Sequence, residues 1–213
     1  MTAEKKGRFM KKLISLLLVF NMLSLAMLSV WAEDGDNSPL IERVDPVLTD
    51  KEFAEKVSGH LFMYPRSPRV RVGEEILPID AENDKATPQL VGGSYMLPAE
   101  LLAAALGADL EGDTSAVRLD WQGGSAMFEA DSTSYSGNGE TRTLADAPKV
   151  FDNHLYIPLR ATYEAAGKKV QWDKCGIIIA GDAADSFSWE DKAGYDLLLR
   201  ATRDMLYETP SPE

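Results

Sequence analysis

The sequence is short of the residues that build most stabilised or catalytic sites. One cysteine, Cys175, and two histidines, His60 and His154, stand in 213 residues. A single cysteine closes no intrachain disulfide and makes no thiolate zinc cluster. Two histidines, 94 positions apart, do not make a three-histidine metal site. Basic residues are also scarce: 22 Lys and Arg against 34 Asp and Glu give a formal charge of −12. That balance argues against nucleic acid as a partner and against non-specific adhesion to anionic lipid, since both need a basic surface. What is present is 45% hydrophobic and 26% charged, enough apolar surface for a buried core and too much for a disordered chain. The length suits one domain or two small ones.

Residues 1–32 read as an export signal. Lys5, Lys6, Arg8, Lys11 and Lys12 stand against Glu4, and an apolar stretch follows from Leu13 to Val30. Val30-Trp31-Ala32 places residues of suitable size at the −3 and −1 positions of a cleavage site, so cleavage is expected between Ala32 and Glu33. Left uncleaved, the same segment is nearly long enough to anchor the chain in a bilayer, and it is the expected membrane contact. Removing it leaves 17 basic and 33 acidic residues, a net charge of −16.

Residues 33–67 read as a polar linker and a short helix. Thr49 with Glu52 three residues on forms a capping-box pattern at the start of Thr49–Ser58, and Gly59 is its expected stop. Leu61-Phe62-Met63-Tyr64 and the alternating Arg69-Val70-Arg71-Val72 read as strands, and Ile76-Leu77-Pro78-Ile79 as the return.

Residues 88–121 align without gaps onto 148–181 at a constant offset of 60. Pro88/Pro148, Pro98/Pro158, Ala105/Ala165, Gly107/Gly167 and Asp113/Asp173 are identical, and the apolar pattern coincides with the punctuation. Each copy runs from an apolar stretch to a proline, suited to a first helical turn, and its helical stretch stops at a glycine. A hairpin follows, Asp109–Glu111 with Ala116–Trp121 in one copy and Lys169–Trp172 with Gly176–Ala180 in the other. Between the copies, Ala126–Ala130 and Thr133–Ser136 read as strands before the turn Gly137-Asn138-Gly139.

The second copy carries a motif. Asp152-Asn153-His154-Leu155-Tyr156-Ile157-Pro158-Leu159-Arg160-Ala161, running on to Glu164-Ala165-Ala166-Gly167-Lys168-Lys169-Val170-Gln171-Trp172-Asp173, resembles the signature of the copper amine oxidase N-terminal-like, or stalk, domain family. The first copy, Gly92–Pro98 through Ala104–Ala108, is looser, with Ala99-Glu100 in place of Leu-Arg and Gly112 where Trp172 sits. The resemblance covers about residues 68–181. It implies a non-catalytic module of exported proteins of Gram-positive bacteria, because copper and the quinone of amine oxidases lie in a separate catalytic domain. It therefore implies no cofactor, no metal and no catalytic residues here.

Four side chains are candidates for ligand or partner contact: Tyr135, Arg160, Trp172 and Trp189. Aromatic faces stack on sugar rings, and Trp121, Trp172, Tyr95, Tyr135 and Tyr156 supply a platform of that kind. Tyr135, beside the Gly137–Gly139 turn, is expected to be exposed, whereas Trp172 and Tyr156 are expected to pack the helix onto the sheet. Arg160 either contacts an anion or sugar acid, or serves structure through a salt bridge and its packed stem. Trp189 heads a stripe on a C-terminal helix, Trp189–Tyr207, that docks onto the sheet or receives a partner. The acids Asp109, Glu111, Asp113 and Asp120 lack the terminal glutamate of a calcium loop, and Cys175 has no histidine near it in sequence.

The expected architecture is α+β: a tandem repeat of antiparallel β-hairpins each packing a short α-helix, in units of about 68–121 and 125–181, followed by a C-terminal α-helix within 182–213. The expected role is that of a secreted, non-catalytic binding or spacer module at the bacterial cell envelope. It would touch wall glycan or an envelope protein, with no nucleic acid and with the oligomeric state left open. A small wall hydrolase using carboxylates and a structural subunit of an envelope assembly are the alternatives.

Overall fold

Reciprocal capping starts the first helix, α1 (Asp50–Val57): the Glu52 N–H donates to Thr49 Oγ1, and the Thr49 N–H to the Glu52 carboxylate at 2.9 Å. These bonds hold the Glu52 carboxyl below its ordinary pKa. The computed structural model describes residues 48–187 and 192–207. The signal segment, the Ala32–Glu33 junction and Trp189 lie outside them.

Three antiparallel sheets follow. The first orders β13 (Lys169–Trp172), β14 (Ile178–Gly181), β1 (Leu61–Met63), β2 (Arg69–Val72) and β3 (Glu75–Pro78) side by side. β1 and β14 are buried at every position, and because successive side chains of a strand point opposite ways they are apolar on both faces. Leu61, Met63, Ile178 and Ala180 enter one core, with Leu97, Leu119, Phe128, Ile157 and Tyr163. Phe62 and Ile179 enter a second, with Val57, Phe187 and the helix α4 (Lys192–Tyr207) through Leu197, Leu198, Ala201 and Met205. The C-terminal helix thus docks onto the sheet. A buried arginine fixes it there. Arg71 stands opposite Phe62, donates from Nε to the Ala201 carbonyl and from Nη1 to the Glu74 carbonyl, each at 2.8 Å, and lies near the Phe53 ring. Arg200 of α4 stacks 4.4 Å from the centroid of that ring and donates to the Leu48 carbonyl and to Asp50.

The second sheet is a plain meander, β6 (Asp109–Gly112), β7 (Ala116–Trp121), β8 (Gly124–Glu129), β9 (Ser134–Gly137) and β10 (Glu140–Thr143). The third joins two hairpins, β4 (Gln89–Val91) with β5 (Ser94–Pro98) and β11 (Lys149–Phe151) with β12 (His154–Pro158), by pairing β5 to β12 with Leu97 opposite Ile157. The helices α2 (Ala99–Leu106) and α3 (Leu159–Ala165) follow β5 and β12 directly. Each proline therefore ends a strand and caps a helix rather than sitting inside its first turn. Gly107 caps α2 with φ 62°, whereas α3 closes on Ala166 and reaches positive φ at Gly167.

After these helices the two halves part. β6 and β7 join the meander, while β13 and β14 join the first sheet. The reason is in the residues. β7 alternates, with Val117 and Leu119 buried and Arg118 exposed, so it needs cover on one face only. β14 is buried at every position and needs cover on both.

His60, next to this sheet, makes a testable joint. Its Nδ1 lies 2.9 Å from the Ser58 carbonyl, and its Nε2 accepts the Ala183 N–H at 3.2 Å, which fixes a neutral ring with the proton on Nδ1. Burial lowers its pKa from the ordinary 6.5. The unfolded chain thus takes up the proton more readily, and His60's contribution to stability, complete above pH 6.5, is lost as the pH falls below it. Chemical denaturation from pH 7.5 to 5 should show wild-type stability falling more steeply than that of His60→Gln, which starts lower at pH 7.5. Parallel profiles would refute this assignment.

Candidate functional site

The four candidate side chains have different fates. Tyr135 is buried, stacked on Phe128 with centroids 5.1 Å apart and planes within 3°. Its expected exposure is therefore corrected. The alternation of β9 sends Tyr135 inward between Ser134 and Ser136, and this outweighs its nearness to a turn. Tyr156 is buried as expected. Trp172, expected to be covered, is 47% exposed, because β13 is an edge strand and the residue is the last of that strand. Trp189 lies outside the described residues.

Trp172 and Arg160 do come together, and they bring Tyr95 with them. A shallow cleft of about 100 Å³ is lined by Gly93, Ser94 and Tyr95 from the β4–β5 hairpin, Pro158, Leu159 and Arg160 from the head of α3, and Val170, Trp172 and Ile178 from the first sheet. The Tyr95 and Trp172 rings lie 5.2 Å apart with planes inclined by 50°. Arg160 Nη1 donates to the Val170 carbonyl at 3.1 Å and stands 3.4 Å from Glu164 one turn along. Arg160 thus serves structure, through the edge strand and an ion pair, while its guanidinium stays more than half exposed. Tyr95 was legible only as one of several aromatics, because its counterpart in the second half is Leu155.

The hairpin that carries Tyr95 is held from behind. Asp146 accepts from the Gly93 N–H at 3.1 Å and the Ser94 hydroxyl at 2.8 Å, and these bonds hold its carboxyl below the ordinary range. Gly92, at φ 59°, passes so close to this carboxylate that a Cβ there would overlap it.

Elsewhere the chemistry is quiet. His154 stands 3.3 Å from Glu100 and 3.6 Å from the buried Asp80. Tyr156, beside these acids, is pushed up to about 12, first by burial and then by Asp80, Asp152 and Glu100, so it stays a neutral phenol. Desolvation and the adjacent Asp173 raise the Cys175 thiol, which disfavours a thiolate nucleophile. Two of the four acids of the 109–120 stretch are engaged locally: Asp113 accepts from Ser115, and Asp120 pairs with Arg118. Among the described residues no group of three or more His, Cys, Asp or Glu is arranged to hold a metal ion. Both His60 nitrogens are engaged by backbone, and His154 with its neighbouring acids forms no such group, so neither histidine sits in a copper-binding arrangement among the described residues.

The fold is a mixed α+β arrangement of helices on three antiparallel sheets, with an aromatic cleft whose lining includes no histidine and no carboxylate. Residues 78–179, just under half of the chain, match the family model described as the copper amine oxidase N-terminal domain, a non-catalytic module. No curated protein and no solved structure matches the chain.

Two substitutions test the hairpin support. Gly92→Ala should lower stability by about 1–3 kcal/mol in thermal or denaturant unfolding, because it combines strain at positive φ with overlap on Asp146. A depressed carboxylate pKa contributes stability that is present above the unfolded value and lost as the pH falls through the folded one. Asp146→Asn should therefore lose less stability than wild type between about pH 5 and pH 2. An equal loss would remove Asp146 from the account.

Proposed function

We propose that this chain is a non-catalytic, exported module that works at the bacterial cell envelope, where it binds wall glycan or an envelope protein. The observation that carries the reading is the cleft itself: two inclined aromatic rings beside an exposed guanidinium, with no histidine or carboxylate in the lining. The match of residues 78–179 to a non-catalytic domain supports it. So does the basic and then apolar character of residues 1–32, which reads as a secretion signal. Four elements, β4, β5, α2 and β6, start 60 residues before β11, β12, α3 and β13, and β7 starts 62 before β14, which supports reading the module as an internal duplication whose second hairpins now serve different sheets.

Export makes the first prediction: the protein recovered from a Gram-positive host's medium or envelope should begin at Glu33. A product retaining Met1 in the membrane would show an anchor instead. Envelope binding makes the second. The exported protein should be retained by sedimented cell-wall sacculi or intact cells and released by excess soluble wall fragments. Recovery wholly in the supernatant would count against the envelope reading. Retention by protease-treated cells, but not by purified sacculi, would redirect the glycan version toward a protease-resistant envelope partner.

A further inference from the structure

We propose that the Tyr95–Trp172–Arg160 cleft holds one pyranose ring bearing a carboxylate, with the ring on the aromatic pair and the carboxylate on Arg160; this deepens the envelope-glycan reading and rests on it.

Trp172 presents nearly half of its surface to solvent although it is a large aromatic at the margin of a core. Tyr95 backs it from a different sheet, so the two rings form an open wedge whose walls come from separate, rigid elements. Such faces take the C–H face of a sugar, an apolar surface edged with hydroxyls. The indole N–H of Trp172 makes no hydrogen bond among the described residues and remains available to a ring hydroxyl. Among the residues lining the cleft Arg160 is the one cation. Its Nη1 is engaged by the Val170 carbonyl and faces Glu164. Nε and Nη2 make no hydrogen bond among the described residues. These two donors form one straight edge of the guanidinium, the edge that grips a carboxylate through two parallel bonds. The acid nearest the hairpin side, Asp146, is already occupied by Gly93 and Ser94.

The lining selects one ring. A single aromatic pair with one cation beside it offers one stacking face and one carboxylate contact. A polyproline helix needs successive aromatic-walled grooves, and this cleft has one aromatic pair. The shallow site also implies a dissociation constant of order millimolar.

N-acetylmuramic acid and N-acetylglucosamine share a ring and an acetamido group and differ by a lactyl carboxylate, so they isolate the Arg160 contribution. The exported protein is titrated with each, reading Trp fluorescence and the NMR signals of the ring protons. The acidic sugar should bind roughly fivefold or more tightly than the neutral one. Arg160→Gln should equalise the two, Arg160→Lys should recover part of the preference, and Trp172→Ala should weaken both about tenfold. Thermal unfolding of each variant separates loss of the site from loss of the fold, and Trp172→Phe, which keeps an aromatic face, should retain neutral-sugar binding. Equal affinities in wild type, a preference that survives Arg160→Gln, or Trp172-dependent binding of a proline-rich peptide in place of sugar would overturn the proposal. If sacculi retain the variants as well as they retain wild type, this site fails while the envelope reading stands. If wild type binds the acidic sugar but not sacculi, the site stands and the envelope reading fails.

Discussion

A sheet that is apolar on both faces governs this molecule. Every residue of β1 and β14 is buried, and their side chains divide between two cores. Burial of that kind is stabilising only if both faces are sealed, at roughly 25 cal/mol per Å² of apolar surface removed from water. The hairpins and short helices seal one face. α1 and α4 seal the other. The two helices that flank the family-matched segment in sequence are therefore part of the same structural solution. Arg71 shows how tightly that solution is specified. A guanidinium 4% exposed is costly to bury, and its bond to the Ala201 carbonyl makes the register of α4 on the sheet a matter of polar satisfaction as well as apolar contact.

The cleft is a by-product of how that sheet ends. Beyond β14 lies β13, a short edge strand whose pattern is exposed at both ends and half-buried between. Edges with free backbone groups invite pairing with other chains. Here Arg160 takes up the Val170 carbonyl and partly occupies the edge. Trp172 stands past the last point that the core can cover and leans on Tyr95 of the neighbouring sheet. One set of contacts thus blunts an edge and leaves an aromatic face and a cation in solvent.

Much of this was legible locally, because its causes are local. The Thr49–Glu52 capping box and the helix stops near Gly107 and Gly167 follow from neighbours within a few residues. The same kind of evidence misjudged Tyr135, where turn proximity suggested exposure but strand alternation decided burial. It also misjudged Trp172, since nothing near residue 172 says that β13 is an edge. That follows from β14 pairing with β1, which brings Ala180 opposite Leu61 across more than 100 residues. Tyr95 escaped selection for the same reason: its partner is far away in sequence, and its aligned counterpart is a leucine. Local pattern placed the elements; long-range strand pairing placed the site.

The charge of the chain then bears on what such a site can do. Without residues 1–32 the protein carries −16, which repels anionic polymers at long range. At physiological ionic strength that repulsion is screened beyond about 8 Å. Within that distance a ligand would meet individual groups, and at this cleft these are a guanidinium with Glu164 on one side and aromatic rings on the other. A single exposed ion pair contributes about 0–1 kcal/mol in water, too little to hold a polymer by charge alone. For the proposed sugar ligand, stacking on Trp172 would therefore supply most of the attraction, and Arg160 the discrimination. An acidic body with one arginine beside an aromatic wedge is suited to choosing among similar rings in a polyanionic matrix, and ill suited to adhering to that matrix indiscriminately.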